Sequence, residues 1–474
     1  MDFNDNAPLR KQPGSSAVGP GTTHSNANEE VRVNATEIAF ADLLRIFYAQ
    51  LFPFREFYRW LNYGGAHKNY FAFRELSFTL ANDAYLRFKS FNDNSDLKKE
   101  ILTLCPVKID IGAVYNARPK DKKILKPGSF NPMERELVFD IDMTDYDPIR
   151  SCCSGADICR KCWSFMTVSI QILDRALKED FGFKHRLWVY SGRRGVHCWV
   201  CDEKARKLTV EARRAIVNYL EVVKGGEEAA RKVNLIGKGL HPSLRKAHDI
   251  LDPMFTKHII HDQDILTNPE KWRKIVALIP DEVLRSSGAT LWEKSRPSPR
   301  RFVYRTFHIP TPSTKYSIDC VHHARQKPSV ASTTWEILFQ YSYPRLDSNV
   351  SIGLNHLLKS PFCVHPKTGR VCIPIDPQRA DQFDPFSAPK LADLVDELAE
   401  FDLRNPERAA AVPGTLIISS SIDGQHAWPP WVDYQKTSMK AHVDHFRAFV
   451  EGLEEEGHDI LRARRAEEEK KLIF

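Results

Sequence analysis

The chain has 474 residues, of which 42% are hydrophobic and 11% aromatic, so it can bury a core large enough for more than one lobe. Lys and Arg outnumber Asp and Glu by 68 to 61, and this mild positive charge favours a polyanionic partner without identifying one. No N-terminal apolar stretch is typical of a secretory signal or a membrane span, which argues against a secreted or membrane protein and predicts reduced thiols.

The N-terminal region changes character after about 35 residues. Residues 1–35 are rich in Pro, Gly, Ser and Asn and offer almost nothing apolar to bury, which predicts a disordered tail. Apolar residues at helical spacing between Glu37 and Leu51 predict a helix that Pro53 ends or kinks. We expect the first part of an α/β lobe to extend over residues 36–202.

Residues 136–147 read Glu-Leu-Val-Phe-Asp-Ile-Asp-Met-Thr-Asp-Tyr-Asp, a segment apolar enough for a buried β-strand although it carries Asp140 and Asp142. Side chains alternate between the faces of a strand, so both carboxylates share one face, with Cα atoms about 6.6 Å apart. That spacing suits two cations about 4 Å from each other, and like charges this close need compensation. A two-metal site is therefore expected, and a strand whose acids meet Lys or Arg is the alternative.

Four cysteines follow within eleven residues, ahead of an amphipathic helical pattern: Cys152, Cys153, Cys159 and Cys162. In a reducing compartment this density favours a closed tetrahedral Zn²⁺ site, a structural zinc knuckle at 152–162, over disulfides or unrelated buried thiols. Cys198 and Cys201 form a second Cys-x-x-Cys pair, but positions i and i+3 of a strand face opposite ways. We expect these two thiols to lie in the core.

A basic turn between two apolar runs predicts a β-hairpin. The strands are expected at Leu187–Tyr190 and Val196–Val200, with the turn bounded by Gly192 and Gly195 and with His197 just inside the second strand. Two guanidiniums and a hydroxyl at the tip favour triphosphate binding over a solvated turn. These tip residues are Ser191, Arg193 and Arg194.

The second half of the chain predicts three further parts. Residues 203–334 indicate a helical lobe inserted into the α/β lobe, and within it 292–333 is Pro-rich, basic and without periodicity, as in an irregular loop. The α/β lobe is expected to continue over 335–435, followed by a C-terminal helix and charged tail at 436–474. Segment 343–369 is so polar that it suggests either a nucleotidyl-transfer centre or a charged loop without a site.

Three segments closely resemble the catalytic small subunit of eukaryotic DNA primase, a member of the archaeal and eukaryotic primase family. They are Leu-Val-Phe-Asp-Ile-Asp-Met-Thr-Asp-Tyr-Asp, Tyr-Ser-Gly-Arg-Arg-Gly-Val-His-Cys-Trp-Val and Asn-His-Leu-Leu-Lys-Ser-Pro-Phe-Cys-Val-His-Pro-Lys-Thr-Gly. The resemblance runs from about Leu43 to about Pro280 and again from Trp335 to about Phe386. It implies a mixed α/β (α+β) fold in which β-sheets of a primase-type lobe are flanked by helices.

The resemblance also implies roles for individual residues. Asp140, Asp142 and Asp347 resemble the three acids that hold two Mg²⁺ or Mn²⁺ ions, and Asp110 would accept a hydrogen bond from the ribose 2′-hydroxyl. The nucleotide contacts would be Ser191, Arg193, Arg194, His197, Lys359 and His365. The residues expected around the site are Glu75, Tyr85, Arg87, Lys108, Arg345 and His356.

The expected activity is that of a DNA-directed RNA polymerase of the priming type, which joins ribonucleoside triphosphates de novo on single-stranded DNA. The resemblance implies a heterodimer with a large primase subunit, in a complex with DNA polymerase alpha, in the nucleus. One alternative is a related polymerase that extends existing ends in DNA repair. Another is a non-catalytic nucleic-acid-binding scaffold stapled by zinc, against which the presence of all three acids argues.

Overall fold

The computed structural model describes residues 40–65, 69–224, 231–235, 239–266, 268–279, 328–405 and 433–472. The predicted tail at 1–35 and most of the predicted loop at 292–333 lie outside these ranges. Within them the chain forms two antiparallel sheets with surrounding helices, which confirms the predicted mixed α/β class. In the same ranges, no helix is long and apolar enough to cross a membrane.

The first sheet joins segments that are far apart in the chain. Its strands stand in the order β2-β1-β3-β4, and β8 also pairs with β3, with all pairs antiparallel. In that last pair Asp110 lies opposite Lys359. The bounds are β1 (Arg74–Thr79), β2 (Tyr85–Lys89), β3 (Lys108–Tyr115), β4 (Pro132–Glu134) and β8 (Leu358–Lys359).

The second sheet contains the strand with the two acids and confirms the predicted hairpin. Its order is β5-β7-β6-β9, again antiparallel, and Asp140 lies opposite His197. The first three residues of β5 and Ile141 are buried, whereas Asp140 and Asp142 are partly exposed, which agrees with the expected alternation. Cys198 and Cys201 are buried in the core, as predicted. The bounds are β5 (Leu137–Asp142), β6 (Arg186–Tyr190), β7 (Gly195–Val200) and β9 (Pro374–Ile375).

Helices surround the two sheets. The amphipathic pattern predicted after the cysteines is a helix whose buried residues include Trp163, Met166, Ile170, Leu173 and Leu177. The helices before residue 203 are α1 (Phe54–Asn62), α2 (Asn94–Leu104) and α3 (Arg160–Glu179). The later ones are α4 (Glu203–Arg206), α5 (Val210–Leu220), α6 (Pro242–Met254), α7 (Pro269–Ala277), α8 (Pro328–Ser342), α9 (Ser348–Ile352), α10 (Leu391–Arg404) and α11 (Met439–Leu472).

Short helical turns complete the described elements. Residues 40–46 are helical and continue into a π-helical turn that ends before Pro53, in line with the predicted helix end. Helix α8 begins inside the last residues of the segment predicted as an irregular loop, and the domain boundaries stay predictions. The π-helical turns are Phe47–Leu51 and Phe255–His261, and the 3-10 turns are Tyr63–Gly65, Phe71–Phe73, Pro119–Ile124, Met143–Tyr146, Pro377–Gln382 and Asp433–Lys436.

A buried ion pair stabilises the start of β5. Glu136 and Arg74 are both fully buried, and the guanidinium donates two hydrogen bonds to the carboxylate at 2.7 and 2.9 Å. The hydroxyl of Tyr63 donates a third at 2.5 Å. Burial alone would raise the pKa of Glu136, but the charge and hydrogen bonds of Arg74 and the hydrogen bond from Tyr63 lower it to about 2.

Candidate active site

Three acids from two distant segments meet at the end of β5. Asp140 and Asp142 project from one face of the strand, and the backbone N–H of Asp347 donates to the carbonyl of Asp140 at 3.2 Å. Asp347 precedes α9, where its carboxylate accepts a hydrogen bond from the N–H of Asn349 at 3.1 Å. The structure therefore brings the three predicted acids together.

Arg135 anchors the helix that follows Asp347. Its side chain is fully buried immediately before β5, and its guanidinium donates to the carbonyls of Val350 and Gly353 at 2.8 and 2.6 Å. Burial, with the charge of Arg213, lowers the pKa of Arg135 to about 9. Sequence reasoning missed this residue, although an arginine at the entry to an apolar strand is a signal that it has a buried partner.

Repulsion within the acid cluster acts most strongly on Asp140. Burial and the charges of Asp142 and Asp347 raise the pKa of Asp140 to about 7, although Lys359 and Lys108 act in the opposite direction. The ionised form of Asp140 is therefore disfavoured first by burial and then by its acidic neighbours. A bound cation would favour the ionised form.

Asp142 is held in the ionised form by its own partners. Its carboxylate accepts hydrogen bonds from the N–H and hydroxyl of Thr144 at 2.8 and 2.7 Å, and the Nε of Arg194 lies 2.8 Å from it. Burial would raise the pKa of Asp142, but these donors lower it below its ordinary value. The two acids of one strand face therefore differ in protonation behaviour.

Asp145 is a fourth acid at the site, and sequence reasoning left it aside. It lies in the 3-10 turn after β5, where partial loss of hydration and the charges of Asp142 and Asp140 raise its pKa to about 6. The guanidinium of Arg345 donates to its carbonyl at 2.8 Å and lies 5.6 Å from the ring centroid of Tyr146. Arg345 thus contacts the turn that carries this fourth acid.

The hairpin places a cation and an imidazole against the acids. Arg194 pairs with Asp142, and the Nε2 of His197 lies 3.5 Å from the Oδ1 of Asp140. Burial, together with the charge of Lys359, lowers the pKa of His197 to about 3, so the imidazole is neutral at pH 7. His197 can therefore offer a hydrogen bond without adding charge.

Two glycines allow the hairpin turn to lie close to β5 and to the loop that carries His365. A Cβ at Gly195 would lie less than 3.0 Å from the carbonyl oxygen of Ile141, and the N–H of Gly195 donates to the hydroxyl of Ser191 at 3.0 Å. Gly192 has a φ of +85°, and a Cβ there would lie 2.8 Å from the Cβ of His365. Both positions require glycine, one because of close approach and the other because of backbone conformation as well.

Strand β8 and the loop after it supply a further cation and a second imidazole. The Nζ of Lys359 donates to the carbonyl of Ser191 at 3.1 Å, so this amine lies at the hairpin tip. Burial and the charges of Lys359 and Arg193 lower the pKa of His365 to about 3. The six predicted nucleotide contacts therefore lie on or beside one turn.

Asp110 is buried on β3 with one oxygen that has no partner. Its Oδ2 pairs with the Nζ of Lys108 at 3.0 Å and accepts a hydrogen bond from the hydroxyl of Tyr85 at 3.3 Å. Its Oδ1 is buried without a hydrogen-bond partner in the described part of the chain. Such an acceptor fits a hydroxyl donor on a ligand.

The remaining predicted residues divide into two groups. Glu75 is fully buried beside Asp110's strand, where the Nε of Arg87 lies at 3.1 Å and the hydroxyl of Tyr115 donates at 3.0 Å. His356 is exposed on the turn before β8, and no contact among the described residues joins it to the acids. Its predicted place around the site therefore has no support from contacts.

The four clustered cysteines converge as expected for metal ligands. Their four Sγ atoms all lie within 4.8 Å of one another. Among the described residues, the three acids do not form a group as close as this. The N–H of Cys159, the residue before α3, donates to the Sγ of Cys162 at 3.1 Å. The cluster could hold a metal ion such as zinc.

Buried contacts connect the cysteine loop to its surroundings. Arg150 pairs with Asp147, just after the acid-bearing strand, at 2.5 Å, and donates to the carbonyls of Gly155 and Asp157, each at 2.8 Å. The N–H of Ser151 donates to the Oε1 of the fully buried Gln263 at 2.8 Å. The loop therefore links the acid site to the helical region.

Comparisons with known proteins agree with this arrangement. A family model for the DNA primase small subunit matches residues 139–377, about half of the chain. The DNA primase small subunit of Schizosaccharomyces pombe is 47% identical over 354 residues, which are 74% of this chain and 76% of the relative. The Drosophila melanogaster protein of the same name is 39% identical, covering 87% of this chain and 91% of the relative. The chain belongs to the DNA primase small subunit family.

Proposed function

We propose that this chain is the catalytic subunit of a DNA primase, which joins ribonucleoside triphosphates de novo into short RNA primers on single-stranded DNA. RNA primer synthesis is the function of the family to which it belongs. The observation that carries the proposal is the meeting of Asp140, Asp142 and Asp347 opposite a turn with two arginines.

The acid cluster fits divalent cations. Mg²⁺ and Mn²⁺ prefer carboxylate oxygens, and burial together with the charges of Asp142 and Asp347 raises the pKa of Asp140. Asp140, Asp142 and Asp347 would hold two such ions. When bound, the ions would stabilise charge on the transferring phosphoryl group and lower the pKa of the attacking 3′-hydroxyl.

The turn and the loop beside it suit a triphosphate. Arg193 and Arg194 offer forked donors to phosphate oxygens, and Lys359 adds a point charge at the same place. His197 and His365 are neutral at pH 7 and would each donate one hydrogen bond. Positioning and charge neutralisation of this kind account for most of the catalysis of phosphoryl transfer.

Asp110 would select ribonucleotides. Its buried Oδ1 has no partner among the described residues, so a ribose 2′-hydroxyl that donates to it would satisfy a costly unpaired acceptor. A deoxyribose would leave this oxygen unpaired. Preference for ribonucleotides would follow from that difference.

We propose that the cysteine cluster binds one structural Zn²⁺. Four thiolates fill a tetrahedral shell and leave no open position for chemistry. In Cys159→Ser, we expect the zinc content per chain and the unfolding temperature to fall, measured by elemental analysis and thermal unfolding. Cys105→Ser, outside the cluster, is the control, and an unchanged zinc stoichiometry in Cys159→Ser would reject the ligand assignment.

Membership of this family implies a primase complex. We further propose that the chain forms a heterodimer with a large primase subunit, within a complex that contains DNA polymerase alpha, in the nucleus. The extensive similarity to eukaryotic small subunits supports this assembly.

The decisive experiment measures primer synthesis by the purified full chain with ribonucleotides, Mn²⁺ and a homopolymeric single-stranded DNA template. We expect Asp140→Ala to lower the rate by about 10³-fold or more, because it removes a group that stabilises transition-state charge. The matched control is Asp393→Ala, which removes an exposed carboxylate on α10. Template-dependent oligoribonucleotides that persist in Asp140→Ala would refute the site.

The same assay separates the alternatives. A repair-type polymerase would extend a pre-annealed end with deoxynucleotides and would make nothing on an unprimed template. A scaffold would bind the template and incorporate no nucleotide under either condition.

A further inference from the structure

A group of basic side chains has no part in the reaction described above. Segment 116–130 carries five cations and one acid, Asp121, and all five cations are exposed. None of the five forms an ion pair with another described residue, and among them Lys122 alone has its amine over an aromatic ring. The cations are Arg118, Lys120, Lys122, Lys123 and Lys126.

The 3-10 turn Pro119–Ile124 holds three of the cations, Lys120, Lys122 and Lys123, and Arg118 and Lys126 flank it. At about 2 Å per residue, its six residues extend over about 12 Å. The positive charges therefore repel one another over a short stretch of exposed chain, with a single acid among them. A polyanion with regularly spaced charges would relieve this repulsion.

The turn is fixed against β2 by an aromatic contact. The Nζ of Lys122 lies 3.7 Å from the ring centroid of Phe88, and the guanidinium of Arg87 lies 4.7 Å from the same centroid. Phe88 has a φ of +59° at an irregularity in the pairing of β1 with β2, so its backbone is strained there. The N–H of Lys120 also donates to the hydroxyl of Ser90 at 3.3 Å.

Contacts lead from this turn to the acids. Arg87 pairs with the buried Glu75, and Tyr85 on the same strand donates to Asp110, which also pairs with Lys108. Lys108 is close enough to lower the pKa of Asp140. A series of side-chain contacts thus runs from the exposed turn along β2 and β3 toward the acids, and the cations on it, Arg87 and Lys108, are paired with Glu75 and Asp110.

We infer that the basic turn, defined as residues 118–126, binds the phosphate backbone of the single-stranded DNA template and leads it to the acids. Only one part of this inference, that the strand leads to the acids, rests on the proposed function. Contacts from lysines to phosphates position a strand without reading its sequence. That property suits an enzyme that must start on many templates.

The test is the binding of labelled homopolymeric single-stranded DNA by the full chain, followed by fluorescence anisotropy between about 50 and 200 mM salt without nucleotides. The test variant combines Lys120→Ala, Lys123→Ala and Lys126→Ala and leaves the anchoring Lys122 in place. For three lost phosphate contacts on a single strand, the slope of log K against log salt should become shallower by about 2. Affinity at the lowest salt should fall at least about tenfold.

Two control variants separate location from charge. Lys99→Ala, Lys178→Ala and Arg214→Ala together remove the same net charge from exposed positions on α2, α3 and α5, and should leave the slope unchanged. Replacement of the three turn lysines by arginine should restore the wild-type slope, because it keeps the charge.

Three results would each overturn the inference. They are an unchanged slope in the test variant, an equal loss of affinity in the scattered control, and a loss of affinity for duplex DNA only. Failure of the proposed function would look different. Because the binding assay contains no free ribonucleoside triphosphate, it can show that the turn binds the DNA strand even if no primer is made. Equally, wild-type primer synthesis with an unchanged slope would reject the basic turn alone.

Discussion

The two ends of β5 use carboxylates in opposite ways. At its start, Glu136 is buried with Arg74 and Tyr63, and its pKa is lowered to about 2. Near its end, Asp140 has acids for neighbours, and its pKa is raised to about 7. Four residues apart, one carboxylate is paired with an arginine and the other lies among further acids. Such divergent pKa values distinguish a group that stabilises the fold from one that carries chemistry.

The largest effect should come from breaking the satisfied end. In Glu136→Gln the buried guanidinium of Arg74 loses its counter-charge, and the free energy of unfolding should fall by about 3–5 kcal/mol. Urea unfolding measures this loss. Glu400→Gln is the control, because its partner Arg404 is exposed and such surface pairs contribute little. Equal effects of the two substitutions would contradict the stabilising role of the buried pair.

A smaller effect of opposite sign is expected at the other end. Because the pKa of Asp140 is raised from 3.8 to about 7, the folded protein keeps a proton that the unfolded chain has lost, and stability falls as pH rises through that window. Without cations, Asp140→Asn should therefore raise the free energy of unfolding at pH 8 by about 1–3 kcal/mol, after allowance for partial exposure.

The paired control for that change is Asp142→Asn. The pKa of Asp142 is lowered, so its ionised form contributes stability, and its loss should destabilise the protein. Urea unfolding at about pH 5 and pH 8 with a chelator would compare the two variants. Shifts of the same sign in both would contradict the electrostatic difference between the neighbouring acids.

The smallest effect concerns cation affinity. Binding at the acids must displace the proton from Asp140, so the affinity for Mn²⁺ should fall about tenfold per pH unit below about pH 7 and level off above it. Titration calorimetry measures this dependence. Asp145→Asn should keep the break near pH 7, whereas an affinity that stays constant from about pH 5.5 to 8 would show that Asp140 is already ionised.

The features that the sequence predicted are local ones. The alternation of Asp140 and Asp142 with buried residues, the hairpin that presents Arg194, and the four cysteines each lie within about a dozen residues. Periodicity and spacing determine such arrangements directly. The meeting of Asp347 with Asp140 was expected from resemblance, and no local pattern contains it.

The features that the sequence did not predict depend on pairing over long distances. Arg135 holds α9 through backbone carbonyls, and Glu136 meets Arg74 from another sheet. Backbone acceptors and partners far along the chain leave no trace in local hydrophobic patterns. Asp145 was passed over for another reason, since a turn gives no alternation to indicate where a carboxylate points.

The close approach at Gly195 limits how this protein can diverge. Main chains in direct contact fix the separation between the turn and the acid-bearing strand, so no resized side chain can widen or narrow it. Substitutions at Gly195 cannot change the hairpin in small steps, because even one added methyl group there would force the strands apart.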